Sequence, residues 1–399
     1  MSFILALAEY KFTILFYSLI FLLVYLNRKK FDVHGKFIYL YRTSIGIKWM
    51  NLVAKKASKL IKIFGYIGVI IGFIGMVFTF ILILFLTYKL LINDPGASGA
   101  SPVIPGLPIA GTGLVFPLIT GWIVLFIIIV VHEFSHGIVA SSYKIRIKNS
   151  GMAFFGPILG AFVEPDEKIL AKQKDWVQQS VFAAGAFSNF LTVIVVLLLA
   201  SAILNPIAGL LSISTGVIVY SQPGLGAERA GIVNNTVIIG INGQDISTID
   251  DFREIMTGVG PNRRIELKSD DRSYTVTTTD STDDPSRGYL GVWILDERSE
   301  LKNDNIFTQA LLYIINWIRN MFGWLAFLSL NIGLINLLPI FITDGARMLK
   351  ILFERIIPNK EKSASLWLLI NWLALFSLLI LVFLPFFRWL GTILTNILI

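Results

Sequence analysis

Apolar residues along the chain run in blocks long enough to cross a bilayer, with the polar positions gathered between them. A helix needs roughly 20 apolar residues to traverse the hydrocarbon core. Six blocks meet that length, near residues 3–26, 63–92, 115–142, 177–205, 318–350 and 365–390. The fifth is interrupted by Pro339 and Gly345, and residues 303–317 lead into it as an amphipathic segment. The sixth contains Pro385 and is expected to end in a short interfacial helix near Arg388.

Residues 212–300 break this pattern. They gain Thr, Asp, Asn and Gly, and apolar positions alternate in short runs at 216–220, 237–241, 264–268 and 273–277, the period of strands. Asn242-Gly243 signals a tight turn, and Asp250–Thr257 a short helix capped by Thr248 or Asp250. The expected division is two N-terminal spans and a basic loop (1–114), a first half-core (115–210), a water-soluble insert (211–300), and a second half-core with the last span (301–399).

Composition agrees with a membrane protein. Apolar residues make up 55% of the chain against 15% charged, and the mean hydropathy of +0.72 is outside the soluble range. The absence of cysteine excludes disulfides and thiolate metal ligands. No cleavable signal peptide is evident, since the first basic cluster follows the first apolar block rather than preceding it. The net charge of +8 could suggest nucleic acid. Its distribution argues otherwise, because the basic residues cluster at the ends of apolar blocks. Residues 27–62 hold Arg28, Lys29, Lys30, Lys36, Arg42, Lys48, Lys55, Lys56, Lys59 and Lys62 against one acid, Asp32, while residues 90–143 hold no lysine or arginine. The positive-inside rule then puts both chain ends, the 93–113 loop and the insert outside. The basic stretch 35–62, partly amphipathic, is expected on the anionic inner leaflet or simply in solvent.

The chemistry sits in the third block, at His132-Glu133-Phe134-Ser135-His136. Residues four apart share a helix face, so both imidazoles can hold one metal ion with Glu133 beside it. This HExxH spacing serves zinc hydrolases, in which the glutamate takes a proton from the metal's water. Two histidines and a glutamate at membrane depth are costly unless coordinated, paired or hydrated. Zinc needs a further ligand, and with cysteine absent and His34 in the basic loop, a carboxylate is required. Asp344 is the candidate, where Pro339 and Gly345 break the fifth block, although it could instead cap the helix that follows. Glu164 and Asp166 are rivals beside Pro165. Depth favours Asp344: His132 lies ~26 Å of helix rise past the outer start of its block, and Asp344 directly precedes Arg347 and Lys350, so both lie toward the inner side.

Two resemblances follow. The insert resembles a PDZ domain in residues 223–232 (PGLGAERAGI), in Ile239-Gly-Ile-Asn-Gly243, and in Gly288-Tyr289-Leu290-Gly291-Val292. Those last residues resemble the carboxylate-binding loop and groove strand, placed last as in circularly permuted PDZ domains of prokaryotic proteases. This implies that Gly288, Tyr289, Leu290 and Gly291 bind a peptide or chain end as an added strand; the alternative is a spacer that hinders large ectodomains.

Across about residues 115–365 the chain resembles the site-2 protease family, prokaryotic members with a PDZ insert in particular. HExxH, the insert, and Asn336-x-x-Pro339-x-x-x-x-Asp344-Gly345 occur in the family's order. The resemblance implies His132, His136 and Asp344 as zinc ligands, Glu133 as general base and acid, and Asn336 as a contact to the substrate backbone or oxyanion. An interhelical hydrogen bond is the alternative role for Asn336. It also implies a membrane-embedded β-hairpin over 150–164, against the alternative of a re-entrant loop. Gly185-x-x-x-Asn189 is similar to the family's Gly-x-x-x-Asn segment, with Ala186 where proline often stands, and Asn189 is taken as a substrate contact.

The implied fold is a membrane all-α bundle of about six transmembrane helices with an embedded β-hairpin, plus an inserted extracytoplasmic α/β PDZ-like domain. The implied activity is zinc-dependent cleavage of transmembrane protein substrates in a prokaryotic cell membrane, with the lipid bilayer as partner and no nucleic acid. A transporter or a catalytically silent peptide-binding scaffold are the competing classes.

Overall fold

The computed structural model describes residues 10–34, 38–94, 99–109, 115–155, 158–222, 224–281, 284 and 286–398. Residues 3–9 of the first apolar block, and Pro223 of the PDZ-like signature, therefore lie outside the described residues. The chain divides into two compact units, one formed by residues up to Leu198 and from Asn320 on, the other by Leu199–Arg319.

The first unit opens with α1 (Lys11–Leu26), whose 16 residues give ~24 Å of rise, short of the ~30 Å core. Strands β1 (Asp32–His34) and β2 (Ile38–Thr43) follow, then α2 (Ile47–Lys56), α3 (Ser58–Leu91) and α4 (Leu118–Ser142). After them come β3 (Ile147–Phe155), β4 (Ile158–Pro165), the single turn α5 (Glu167–Leu170) and α6 (Asp175–Leu199). Among the described residues five helices are long and apolar enough to cross a membrane, not six, since α1 falls below that length.

The expected hairpin is half of a larger sheet. β1, β2, β3 and β4 form one antiparallel sheet in that order, with Tyr41 opposite Met152 and Met152 opposite Ala161. Part of the basic stretch expected as a loop thus supplies two strands, and among the described residues β4 is an edge of the sheet.

Small residues set the helix spacing. Gly65, Gly68, Gly72 and Gly75 recur every three or four positions on α3. A methyl at those four positions would meet Ser180, Phe187, Met348 and Leu337 respectively, at 2.6–3.3 Å. Backbones approach closely where side chains are absent, which is how helices pack when lipid removes the hydrophobic drive.

The second unit contains α7 (Asn205–Leu211), β5 (Ser212–Ser221), the turn α8 (Gly226–Arg229), β6 (Thr236–Ile241) and β7 (Gln244–Asp245). It continues through α9 (Ile249–Thr257), β8 (Arg264–Ser269), β9 (Ser273–Thr277), β10 (Thr279–Asp280), β11 (Gly288–Tyr289) and β12 (Val292–Leu301). The main sheet runs β12-β5-β6-β8-β9, with β7 on β6. Alternation does the sorting: Ile265 and Leu267 point into the core, while Arg264, Glu266 and Lys268 are exposed. Asn242 and Gly243 take φ of 49° and 80° and turn β6 into β7. Thr248 and Asp251 form a capping box on α9, and the Ser247 and Thr248 amides hold the Asp251 carboxyl below its ordinary pKa. β12 pairs with β5 along its length, from Val292 opposite Ser221 to Leu301 opposite Ser212.

Three helices complete the chain: α10 (Ile306–Leu337), α11 (Asp344–Ile356) and α12 (Lys360–Leu398). The amphipathic lead-in and the apolar stretch before Pro339 are one helix, α10. α10 ends at Leu337, and α11 starts anew after six intervening residues. α12 runs through Pro385 and Arg388 as one helix, with no separate interfacial helix among the described residues.

Candidate metal centre

Helix α4 carries the histidine pair one turn apart, and α6 presents a matching row. On α6, Val181, Gly185 and Asn189 recur every four residues and lie along the pair. His136 Nδ1 is 2.6 Å from the Val181 carbonyl oxygen, and His132 Nδ1 is 3.2 Å from Asn189 Nδ2. At Gly185 there is no room for a side chain: a methyl would stand 2.5 Å from His132 Nε2 and 2.6 Å from its Cε1. The small residues of α6 therefore let its backbone approach the metal-facing edges of both rings. His132, His136 and Asn189 are all buried.

The third donor comes from the break between α10 and α11. Gly345 packs against the Leu337 and Leu338 carbonyls, which folds the chain sharply back at this point. The helix cap is Thr343, whose hydroxyl accepts from the Ala346 amide, so Asp344 is not needed as the cap and its carboxylate is available. Asp344 Oδ2 lies 3.3 Å from His132 Nε2 and 3.2 Å from His136 Nε2, and the two Nε2 atoms are 3.2 Å apart. Tetrahedral ligands at zinc–nitrogen and zinc–oxygen bond lengths of ~2.0–2.1 Å stand roughly 3.3–3.4 Å from one another. The three donors thus already form one face of such a tetrahedron. Since a carbonyl can only accept, His136 Nδ1 carries the proton, which leaves the Nε2 lone pair facing Asp344. The donor set and its spacing fit a metal ion with one position open.

That position faces a cavity of about 270 Å³, lined also by Glu133, Phe162, Phe182, Asn336 and Arg347. Glu133 Oε2 accepts from the Val163 amide of β4 at 3.0 Å, so the glutamate is held between the histidine helix and the edge strand.

The model of peptidase family M50 matches residues 120–380, a stretch that includes all three donors. The chain belongs to peptidase family M50, the site-2 protease family. The M50 assignment makes it a membrane metalloprotease, in agreement with its several membrane-length helices. A similar sequence, "Uncharacterized protein MJ0971" of Methanocaldococcus jannaschii, is 27% identical over 315 residues, covering 78% of this chain and 76% of the relative.

Other candidate residues of this M50 protein fall into different places. Asn336 lines the cavity while its side-chain nitrogen donates to the Ile332 carbonyl of its own helix. Glu164 is engaged by Asn149 and Arg42, and Asp166 caps α5, so neither rival carboxylate joins the donor cluster. His34 ends β1. In the other unit, Gly288 and Tyr289 form β11, Leu290 is buried, and Gly291 accepts from the Gln222 amide.

Asn189 differs from the substrate contact expected for it: it is fully buried behind His132. Among the described residues its Oδ1 has no partner. Turning the amide over lets Oδ1 accept from His132 Nδ1–H and frees Nε2 for a metal. Asn189→Leu is accordingly expected to weaken metal binding about 10–100-fold, measured by competition with a chromogenic chelator. Unchanged affinity would show that Asn189 only packs. Nothing in the sequence marks Val163 for the site, and only the position of Gly185, four before Asn189, hints at its place.

Proposed function

We propose that this protein is a zinc endopeptidase that cuts peptide bonds within or beside the transmembrane segments of other membrane proteins. The observation that carries this reading is the triangle of donors made by the buried His132 and His136 with the half-buried Asp344, set among helices of membrane-spanning length, with Glu133 on the same cavity. Bound there, zinc would supply a water acidified to near neutral pH and an electrophile for the scissile carbonyl.

The chain's own groups do the rest. Glu133 takes a proton from the attacking water and delivers it to the leaving amide nitrogen. Asn336, on the cavity wall, donates toward the substrate backbone. A transmembrane helix hides its carbonyls in its own hydrogen bonds, so a substrate has to unwind before it can be cut. β4 offers an edge on which the unwound stretch can add as a further strand. We read the insert as PDZ-like, with β12 as the edge that receives a chain end, and the charge asymmetry supports an extracytoplasmic insert in a prokaryotic cell membrane.

The test is cleavage of a single-span model protein in liposomes, with metal content measured on the same sample. Removing the metal with a chelator is expected to stop cleavage, and one equivalent of zinc to restore it. Cleavage that persists in metal-free protein would overturn the reading.

A further inference from the structure

We infer that α2 is a docking face for an anionic lipid leaflet, and that it ties the state of that leaflet to the catalytic helix. This inference deepens the proposed protease function by adding a regulator.

One face of α2 is spent on α4. Met50 and Ala54 are buried, and a methyl on Gly137 of α4 would run into the Met50 side chain. Asn51 Oδ1 accepts from the Ser141 hydroxyl at 2.8 Å, and the Trp49 ring lies 6.0 Å from that of Phe134, the neighbour of Glu133. Gly46, at the start of α2, takes a left-handed φ of 81°, and a methyl there would press on the same Phe134 ring. Every one of these contacts lands within or just past the HExxH segment, so the helix backs the catalytic turn directly.

The opposite stripe of α2, bordered by the Trp49 ring, is exposed among the described residues. Lys48, Trp49, Leu52, Lys55 and Lys56 are exposed and fall on neighbouring positions of the helix, with Trp49 53% and Leu52 48% exposed. Ile45, just before the helix, is 72% exposed. Apolar tips alternate with ammonium groups, the composition of a helix that lies in the plane of a headgroup region. Among the described residues, none of Lys48, Lys55, Lys56 and Lys59 has an ion pair with a carboxylate. Only Ala57 separates α2 from the membrane-length α3, so the stripe stands where that helix meets the bilayer surface. Basic residues at such a junction attract phosphatidylglycerol-type headgroups, roughly fivefold in partitioning per lysine.

The chain has no cysteine, so Leu52→Cys gives a single labelling site in the full-length protein. The variant, carrying an environment-sensitive fluorophore, would be reconstituted in phosphatidylcholine vesicles with or without phosphatidylglycerol. Phosphatidylglycerol is expected to move the probe into a less polar setting, and high salt to reverse the shift. Replacing Lys48, Lys55 and Lys56 by Gln should weaken that docking about 10²-fold. In parallel, cleavage of the model substrate should rise several-fold with phosphatidylglycerol in the wild type and not in the triple Gln variant, with equal rates for both in phosphatidylcholine alone.

A probe indifferent to the anionic lipid would overturn the docking face. The same shift produced by soluble polyglutamate, with no lipid preference, would assign the face to an acidic protein partner instead. A probe that responds while cleavage does not would remove the coupling. Because the fluorescence needs no turnover, a protein that docks but never cleaves would count against the protease reading and not against the lipid face.

Discussion

Replacing Glu133 by Gln is expected to leave the metal in place and to slow cleavage by roughly 10²–10⁴-fold, the range for losing a positioned general acid–base. The amide keeps the size of the carboxylate and an oxygen that can still accept from Val163 N–H, so the bond between α4 and the edge strand survives. What it loses is the capacity to accept and return a proton. The three donors are untouched, and zinc content should match the wild type. Retained zinc with lost cleavage separates Glu133 from the ligands, and a variant that cuts at the wild-type rate would remove the proposed mechanism.

The second large effect is expected from a methyl group. Gly185→Ala places a Cβ 2.5 Å from His132 Nε2 and within contact of His136 Nε2, the two atoms that face Asp344. Neither flank can yield easily, since Ala183, Ala184 and Ala186 are fully buried on the same helix. The rings must swing out of register by something near 1 Å, a displacement that costs about 10²-fold in a positioned site. Metal stoichiometry should fall together with activity in protein that keeps its helical circular-dichroism spectrum, with some loss of thermal stability from the overpacking. Gly323→Ala is the matched control, because on α10 a methyl would meet nothing within 4 Å. Full metal occupancy in Gly185→Ala would show that the close approach of α6 is incidental.

The donor set is legible in the sequence because two short-range rules carry it. Helical periodicity puts His132 and His136 on one face, and the interruption at Pro339 and Gly345 marks where irregular backbone lines a cavity. The rest depends on distant partners. β1 and β2 escape notice because they are short and set among the basic residues Arg28, Lys29, Lys30 and Lys36, and β2 finds β3 only more than a hundred residues later, as Thr43 opposite Ser150 shows. The Thr343 cap is masked by its neighbour Asp344, an equally good capping residue. Hydropathy alone divides α10, whose first turns are amphipathic, yet backbone continuity does not require constant hydropathy. Small residues around Gly185 signal close packing, which is true, but only the fold reveals that the packing is against the imidazoles.

The pairing of Ser212 with Leu301 has a consequence for how the site assembles. His136 and Asp344 are separated by a long stretch of chain, and joining distant points costs conformational entropy that grows with the loop between them. β5 and β12 remove close to half of that length. Once the insert has folded, its first and last residues stand about 5 Å apart across an antiparallel pair. To the two halves of the donor set, some ninety residues then count as a short hairpin. Additions or deletions between β5 and β12 that preserve this pairing leave the closure entropy of the donor set nearly unchanged.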